Sequence, residues 1–338
     1  MNFQSDNTAP AAPQILAALQ AANAAPTGSY GDDPWSVRLD ESFSQSLDTP
    51  VRAWAVATGT AANALPLACL SPPWGAVFCS HEAHVLRDEC GACELQSGGA
   101  RLVPVATQDG RLDAAALAGV LADHPRFVHS VQPAAITLTQ ATECGTVYTP
   151  AQVAQIGALA RQHGLALHMD GARLANALAT LDCEPADLTW RAGVDVLSFG
   201  ATKNGALAAE AVVFFNPERA REFELRRKRA AHLFSKMRYL SAQLLACLDG
   251  QWFMANARRA NALALQIARA AGPRLRWPVQ ANMAFLRLDA TAQQRLRDLG
   301  FRFHPWGPPA EATIRLVVSW NQPEDQVQAL CEALSTCS

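Results

Sequence analysis

From about residue 50 to residue 250, short apolar runs alternate with helix-length segments. The runs are Val51–Val56, Leu102–Val105, Phe127–Val131, Leu165–Met169, Val194–Ser198 and Ala211–Phe215, with helical patterns at 113–122 and 151–162. Strands separated by helix-length connections imply a mostly parallel sheet covered by crossover helices, so the rhythm predicts an α/β domain. A long helical pattern from Ser235 to Ala271, with only Gly250 inside it, then leads away from that sheet. The tail changes rhythm: strand candidates Asn282–Leu288 and Thr313–Ser319 flank helical segments at 290–299 and 322–335, as in a small α+β domain. At 338 residues the chain exceeds what one hydrophobic core usually serves. The expected division is a large domain over 1–250 and a small one over 251–338. No period of 20–50 residues recurs, which argues against a solenoid.

Composition narrows the function classes. Half the residues are hydrophobic and 17% are charged, the balance of a globular chain. With 28 basic and 30 acidic residues nothing global suggests nucleic acid or an anionic membrane. The weakly polar stretch Ala53–Leu70 is interrupted by Thr58, Gly59, Thr60, Asn63 and Pro66, unlike a membrane span. No Lys or Arg precedes Arg38, and Asp6 stands where a signal peptide would be basic, so a cytoplasmic location is expected.

Nine cysteines, scattered from Cys69 to Cys337, read as reduced thiols rather than a disulfide framework. Cys90 and Cys93 form a C-x-x-C pair, but no second pair or nearby histidines complete a metal site, and none is expected. The basic run Arg219 to Arg229 is interleaved with Glu222 and Glu224, as on a solvated helix.

Two residues carry the chemistry. Asp170 follows the run Leu165–Met169, and Lys203 follows Val194–Ser198 between Gly200 and Gly205. Carboxyl ends of strands in an open α/β sheet are where ligands bind, so this acid and this amine can meet over one small molecule. An amine able to form a Schiff base and a carboxylate able to hold a pyridinium nitrogen are what pyridoxal phosphate (PLP) requires of a protein. The ordinary alternatives are a helix cap for Asp170 and a surface lysine. Gly59-Thr60 opens a helix after Val51–Val56; such a turn offers free N–H groups, a hydroxyl and a positive dipole end to a phosphate, although taken alone it favours Thr60 as a simple helix cap. Neither a dinucleotide nor a Walker fingerprint occurs.

Taken in order, Ser5-Asp6-Asn7, Tyr30-Gly31-Asp32-Asp33, Gly59-Thr60-x-x-Asn63, His84, His168-x-Asp170-Gly171-Ala172-Arg173, Ser198 to Gly205 and Ile314-Arg315-Leu316-Val317 resemble the threonine aldolases. These lie within the beta-eliminating lyase group of fold-type I PLP enzymes, and the resemblance runs essentially the full length. It implies that Lys203 bonds the cofactor, Asp170 pairs with its pyridinium nitrogen, His84 stacks on the ring, Arg173 meets its phenolic oxygen, and Gly59 and Thr60 bind its phosphate. Ser5 and Arg315 would hold the substrate carboxylate. Tyr30 would reach the partner subunit's site, since the resembled enzymes build their sites across a dimer interface. The pattern breaks at Ala141-Thr142-Glu143-Cys144-Gly145, where many relatives carry a histidine at the position of Glu143; the base acting on the substrate hydroxyl, Glu143 or His84, stays open.

The expectation is therefore a homodimeric or homotetrameric PLP aldolase that cleaves threonine-like β-hydroxy-α-amino acids to glycine and an aldehyde. A β-eliminating lyase or aminotransferase of the same cofactor class is the alternative, and a non-catalytic binding protein of the same fold is the alternative outside it.

Overall fold

Strands buried on both faces form the centre of the molecule, as a parallel sheet requires. A computed structural model describes residues 1–336. Its main sheet comprises β1 (Arg52–Val56), β2 (Gly75–Ser80), β3 (Arg101–Val105), β4 (Gln132–Thr139), β5 (Ala166–Gly171), β6 (Val196–Gly200) and β7 (Glu210–Phe214), in the order β1-β7-β6-β5-β4-β2-β3. From β3 to β6 all neighbours are parallel. Every residue of β2, β5 and β7 is buried.

Three details depart from the sequence reading. First, β7 runs antiparallel to both its neighbours, β6 and β1. Only residues 201–209 join β6 to β7, too short a link for a crossover helix. Second, the run Phe127–Val131 is not a strand. Phe127 and Val128 are 51% and 91% exposed, and the strand is the next segment, Gln132–Thr139, whose alanines and threonines fit between helix-covered faces but give a weak hydropathy peak. The neighbouring strand β2 also went unread. Third, the long helix breaks at Gly250 into Arg238–Asp249 and Gln251–Ala271. A Cβ on Gly250 would lie 2.2 Å from the Trp252 ring, whose Nε1 donates to the Ala246 carbonyl at 3.0 Å.

The small sheet, β8 (Met283–Arg287), β10 (Thr313–Val317) and the unforeseen three-residue β9 (His304–Trp306), is antiparallel in the order β8-β10-β9. Its core joins Leu286, Ile314 and Leu316 to Leu263, Ile267 and Leu330 of the helices Gln251–Ala271 and Glu324–Ser335. Phe3 is buried in this core, donating from its N–H to the Arg302 carbonyl at 2.9 Å and accepting from the Val317 N–H at 2.9 Å. The small unit thus draws on both ends of the chain.

Among the described residues no helix is long and apolar enough to cross a membrane, and no His/Cys/Asp/Glu group could hold a metal. Eight cysteines are free thiols, Cys90 exposed and Cys93 buried; Cys337 lies outside the described residues. The basic run forms a turn and the helix Phe223–Arg229. Arg226 pairs with Glu222 at 2.8 Å and Arg219 with Asp195 at 3.2 Å, but Arg227 is buried against the Ala55 carbonyl rather than solvated.

Candidate active site

The carboxyl edge of the sheet gathers loops that lie far apart in sequence. After β1 the helix Gly59–Leu70 begins, and its cap is Thr58, not Thr60: the Thr58 Oγ1 accepts from the Ala61 N–H at 3.2 Å. Thr60 is therefore free for a ligand. The first N–H groups of a helix have no partner within it, and Gly59 leaves open space where a side chain would stand, which suits a phosphate.

Asp170 ends the core of β5 and is 4% exposed. Its Oδ1 accepts from the Ala172 N–H and its Oδ2 from Asn63 Nδ2, both at 2.9 Å. It caps no helix, since the next one starts at Leu174. Lys203 lies in a single turn, Thr202–Asn204, inside the β6–β7 hairpin. Gly200 lets that hairpin press against the chain after Asp170, because a Cβ there would meet the Ala172 backbone at 2.5 Å. The Glu210 carboxylate pins the turn by accepting from the Ala201 N–H at 3.0 Å, and burial pushes its pKa up to about 7.

Thr58–Thr60, Asn63, His84, Asp170, Ser198 and Lys203 enclose a recess of about 270 Å³. Among the described residues the Lys203 amine has no hydrogen bond or ion pair. Burial, reinforced by Arg173, pulls its pKa below the usual lysine range against the opposing charges of Asp6, Asp170 and Glu210. A free amine with a depressed pKa, a buried carboxylate and an open helix N-terminus around one recess fit PLP.

His84 begins the short helix His84–Arg87. Its backbone N–H donates to Glu143 Oε1 at 2.8 Å and its Nδ1 meets Glu89 Oε1 at 2.8 Å. Glu143 also accepts from the Thr139 hydroxyl at 2.8 Å; burial, and then Asp170, push its pKa up to about 7. Below Asp170, His168 is fully buried between the Thr137 and Ser198 hydroxyls, each at 2.8 Å. Ser198 donates onward to the Ala62 carbonyl at 2.6 Å, so it accepts from His168 Nε2–H, and Nδ1 accepts from Thr137.

Burial holds the His168 pKa down at about 4. An unfolded histidine takes its proton near 6.5, so the folded protein binds fewer protons between those values. The stabilisation is full above about pH 6.5 and drains as pH falls towards 4, by up to about 3 kcal/mol. Urea unfolding at pH 7 and pH 5 should show a shallower loss for His168→Gln than for wild type, from a lower starting stability. Parallel losses would rule out this assignment.

Beyond Ala172, Arg173 is held by Asp6. Its guanidinium grips Asp6 through two bonds, at 2.8 and 2.9 Å, and Asn282 Nδ2 donates to the same carboxylate at 3.0 Å. Arg315, in the middle of β10, has no ion pair among the described residues. Its Nη2 reaches the Gln4 carbonyl at 3.3 Å, its buried Nε has no partner, and it lies 5.4 Å from the Trp306 ring. Burial, and then Arg173, lower its pKa. Ser5 stands beside Gln4 and accepts from the Asn7 N–H at 3.1 Å. Tyr30 does not line this recess: it is 52% exposed, beside a second hollow with Arg52 and Trp54, with the Lys228 ammonium 4.7 Å from its ring.

The family model described as beta-eliminating lyase matches residues 2–290. The chain belongs to the beta-eliminating lyase family. It is 41% identical over 332 residues to the low specificity L-threonine aldolase of Pseudomonas aeruginosa, covering 97% of this chain and 95% of that protein. The enzyme of the same name from Pseudomonas sp. is also 41% identical over 333 residues, with the same coverage. A solved threonine aldolase of Leishmania major superposes with a TM-score of 0.92 at 28% identity over 98% of each chain. A more distant neighbour, a TDC of Oryza sativa solved with PLP and tryptamine, shares the fold alone, with a TM-score of 0.75 at 15% identity over 99% of this chain and 83% of that one.

In this member of the family, Gly59, Thr60, His84, Asp170 and Lys203 come together, with Arg173, Arg315 and Ser5 grouped around Asp6 and Gln4. The reading from sequence missed Asp6, Glu89 and the bridging role of Asn63. Asp6 and Asn63 stood inside quoted motifs, and Glu89 follows His84 by five positions across a short helix, the one local signal that could have found it.

Proposed function

We propose that this member of the beta-eliminating lyase family is a PLP-dependent aldolase that cleaves L-threonine, L-allo-threonine and related β-hydroxy-α-amino acids to glycine and an aldehyde. The observation that carries this reading is the unpartnered Lys203 amine sharing one recess with the buried Asp170 carboxylate; the Pseudomonas relatives, named low specificity L-threonine aldolases, select the reaction. When bound, PLP supplies an electron-poor ring that accepts the electron pair of a bond broken at the substrate α-carbon.

The chain's own groups prepare that step. Lys203 is the covalent attachment point, and its lowered pKa raises the fraction of neutral, nucleophilic amine. Asp170, anchored by Ala172 and Asn63, would keep a proton on the pyridine nitrogen. Gly59 and Thr60 would hold the phosphate, His84 would lie against the ring face, and Arg173, its Nε and Nη2 held by Asp6, would serve the phenolic oxygen through its remaining N–H groups. Ser5 and Arg315 take the substrate carboxylate. Arg315→Ala should raise KM for threonine by about tenfold or more with a smaller effect on kcat, since a charge-assisted bond to the carboxylate is lost. An unchanged KM would remove Arg315 from this role.

On the same reading residues 1–250 are the cofactor-binding unit and 251–338 the smaller one. The protein works in the cytoplasm as a homodimer or homotetramer, with Tyr30 serving the partner's site. Borohydride reduction followed by peptide mapping should place the cofactor label on Lys203, and threonine should yield glycine and acetaldehyde. A label elsewhere refutes the attachment point; pyruvate and ammonia, or amino transfer to a keto acid, refute the reaction.

A further inference from the structure

His84 is held by two buried carboxylates that do different work. Glu143 takes its backbone N–H through Oε1, the same oxygen that receives the Thr139 hydroxyl. The second Glu143 oxygen is buried with no partner, and the carboxylate does not line the recess. Glu143 therefore meets His84 at the backbone and not at the ring, and it is not among the groups that wall the recess beside Asp170 and Lys203.

Glu89 holds the ring. Its side chain is 0% exposed, and Oε1 accepts from Asn63 Nδ2 at 2.8 Å while meeting His84 Nδ1 at 2.8 Å. An ionised carboxylate only accepts, and this oxygen also takes the Asn63 amide, so with Glu89 charged the Nδ1 facing it carries the shared proton. In neutral His84 the lone pair is then on Nε2, which makes no hydrogen bond among the described residues. The ring itself is part of the recess wall. The amide that serves Glu89 also serves Asp170 Oδ2 at 2.9 Å, so one row of bonds, Asp170–Asn63–Glu89–His84, sets the histidine relative to the acid.

We propose that Glu89 is a positioning residue that fixes His84 with its proton on Nδ1 and its Nε2 lone pair available in the recess, so that His84, and not Glu143, takes the substrate hydroxyl proton. This rests on the aldolase reading above. In that step the hydroxyl proton passes to His84 Nε2, and the O–H pair becomes the second C–O bond of the departing aldehyde. The Cα–Cβ pair leaves with the glycine half, and a proton returned to its α-carbon completes glycine. A carboxylate on the far nitrogen makes the imidazole both fixed in direction and more basic, as in other carboxylate–histidine pairs.

The charged groups facing His84 are Glu89 on the ring, Asp170 from β5, Lys203 from the β6–β7 hairpin and Glu143 at the backbone. The Glu89 hydrogen bond raises the His84 pKa against burial; Asp170 acts with it and Lys203 against it. Removing the Glu89 charge should therefore keep His84 neutral to lower pH while making it a weaker base.

The test uses holoenzyme with 15N-labelled histidine, the His84 signals being assigned by their loss in His84→Asn. Wild type should show protonated Nδ1 and unprotonated Nε2 in the neutral ring. In Glu89→Gln, the His84 midpoint should move to lower pH, the second tautomer should appear, and kcat should fall on the order of tenfold or more with KM for threonine nearly unchanged. The acid limb of its kcat profile should move in the same direction as the His84 midpoint. Glu143→Gln should keep the wild-type tautomer and acid limb, with kcat within about tenfold. An unchanged His84 titration in Glu89→Gln, or an acid limb that follows Glu143→Gln instead, overturns the proposal. Wild-type enzyme inactive on all β-hydroxy-α-amino acids would instead overturn the aldolase reading, while the tautomer measurement would still decide whether Glu89 sets His84.

Discussion

Lys203→Ala is expected to lower threonine cleavage by about a thousandfold or more, because the enzyme loses its nucleophilic amine and not merely a contact. The chain has only three lysines, and the other two, Lys228 and Lys236, are exposed. No second amine stands in the recess to substitute. The yellow colour of covalently attached cofactor should disappear with activity, and a small primary amine added at high concentration should restore part of the turnover. Stability should hold or rise, since a buried amine without a partner favours unfolding. A variant that keeps turnover within tenfold of wild type would refute the role of Lys203.

Asp170→Asn is expected to cost turnover on the order of a hundredfold to a thousandfold, the scale of losing a preorganised charge at a reacting centre. The substitution keeps volume and removes the negative charge proposed to hold a proton on the pyridine nitrogen. It also disturbs two bonds at once. Both Asp170 oxygens accept, from Ala172 and from Asn63, whereas an amide offers one acceptor and one donor. One N–H must then face another, which should lower stability by about 1–3 kcal/mol. Stopped-flow turnover of cofactor-saturated enzyme separates the effects: a normal rate in the loaded fraction would leave Asp170 a purely structural group.

The parts of this molecule that were readable without coordinates share one property: their signal is local. Leu165–Met169 and Val194–Ser198 announce strands by apolar runs, and Asp170 and Lys203 stand immediately after them. Even the reversed direction of β7 was available in principle, since residues 201–209 leave no room for a helical return. What escaped the reading depends on tertiary context. The segment Pro133-Ala-Ala-Ile-Thr-Leu-Thr makes a central strand because helices cover it, not because it is strongly apolar, so the eye falls on exposed Phe127 and Val128 instead. Which threonine caps the Gly59 helix turns on backbone geometry at Thr58. The Asp6–Arg173 pair spans 167 residues, and nothing along the chain says that this arginine is already occupied.

The N-terminal strap has a consequence for the order in which the protein is made. Phe3 is held by Arg302 and Val317, and the neighbouring Asp6 by Arg173 and Asn282. Asn282, Arg302 and Val317 are made late, and the set is complete only once the ribosome has passed residue 317. Phe3 is made long before Arg302 and Val317 and must wait for them to be held. The sheet bearing Asp170 and Lys203 can collapse beforehand, but the wall carrying Ser5 and Arg315 waits for contacts some 300 residues apart, the slowest kind to close. A nascent chain stalled before β10 would thus expose Lys203 beside an unfinished wall, a half-built pocket for chaperones to shield.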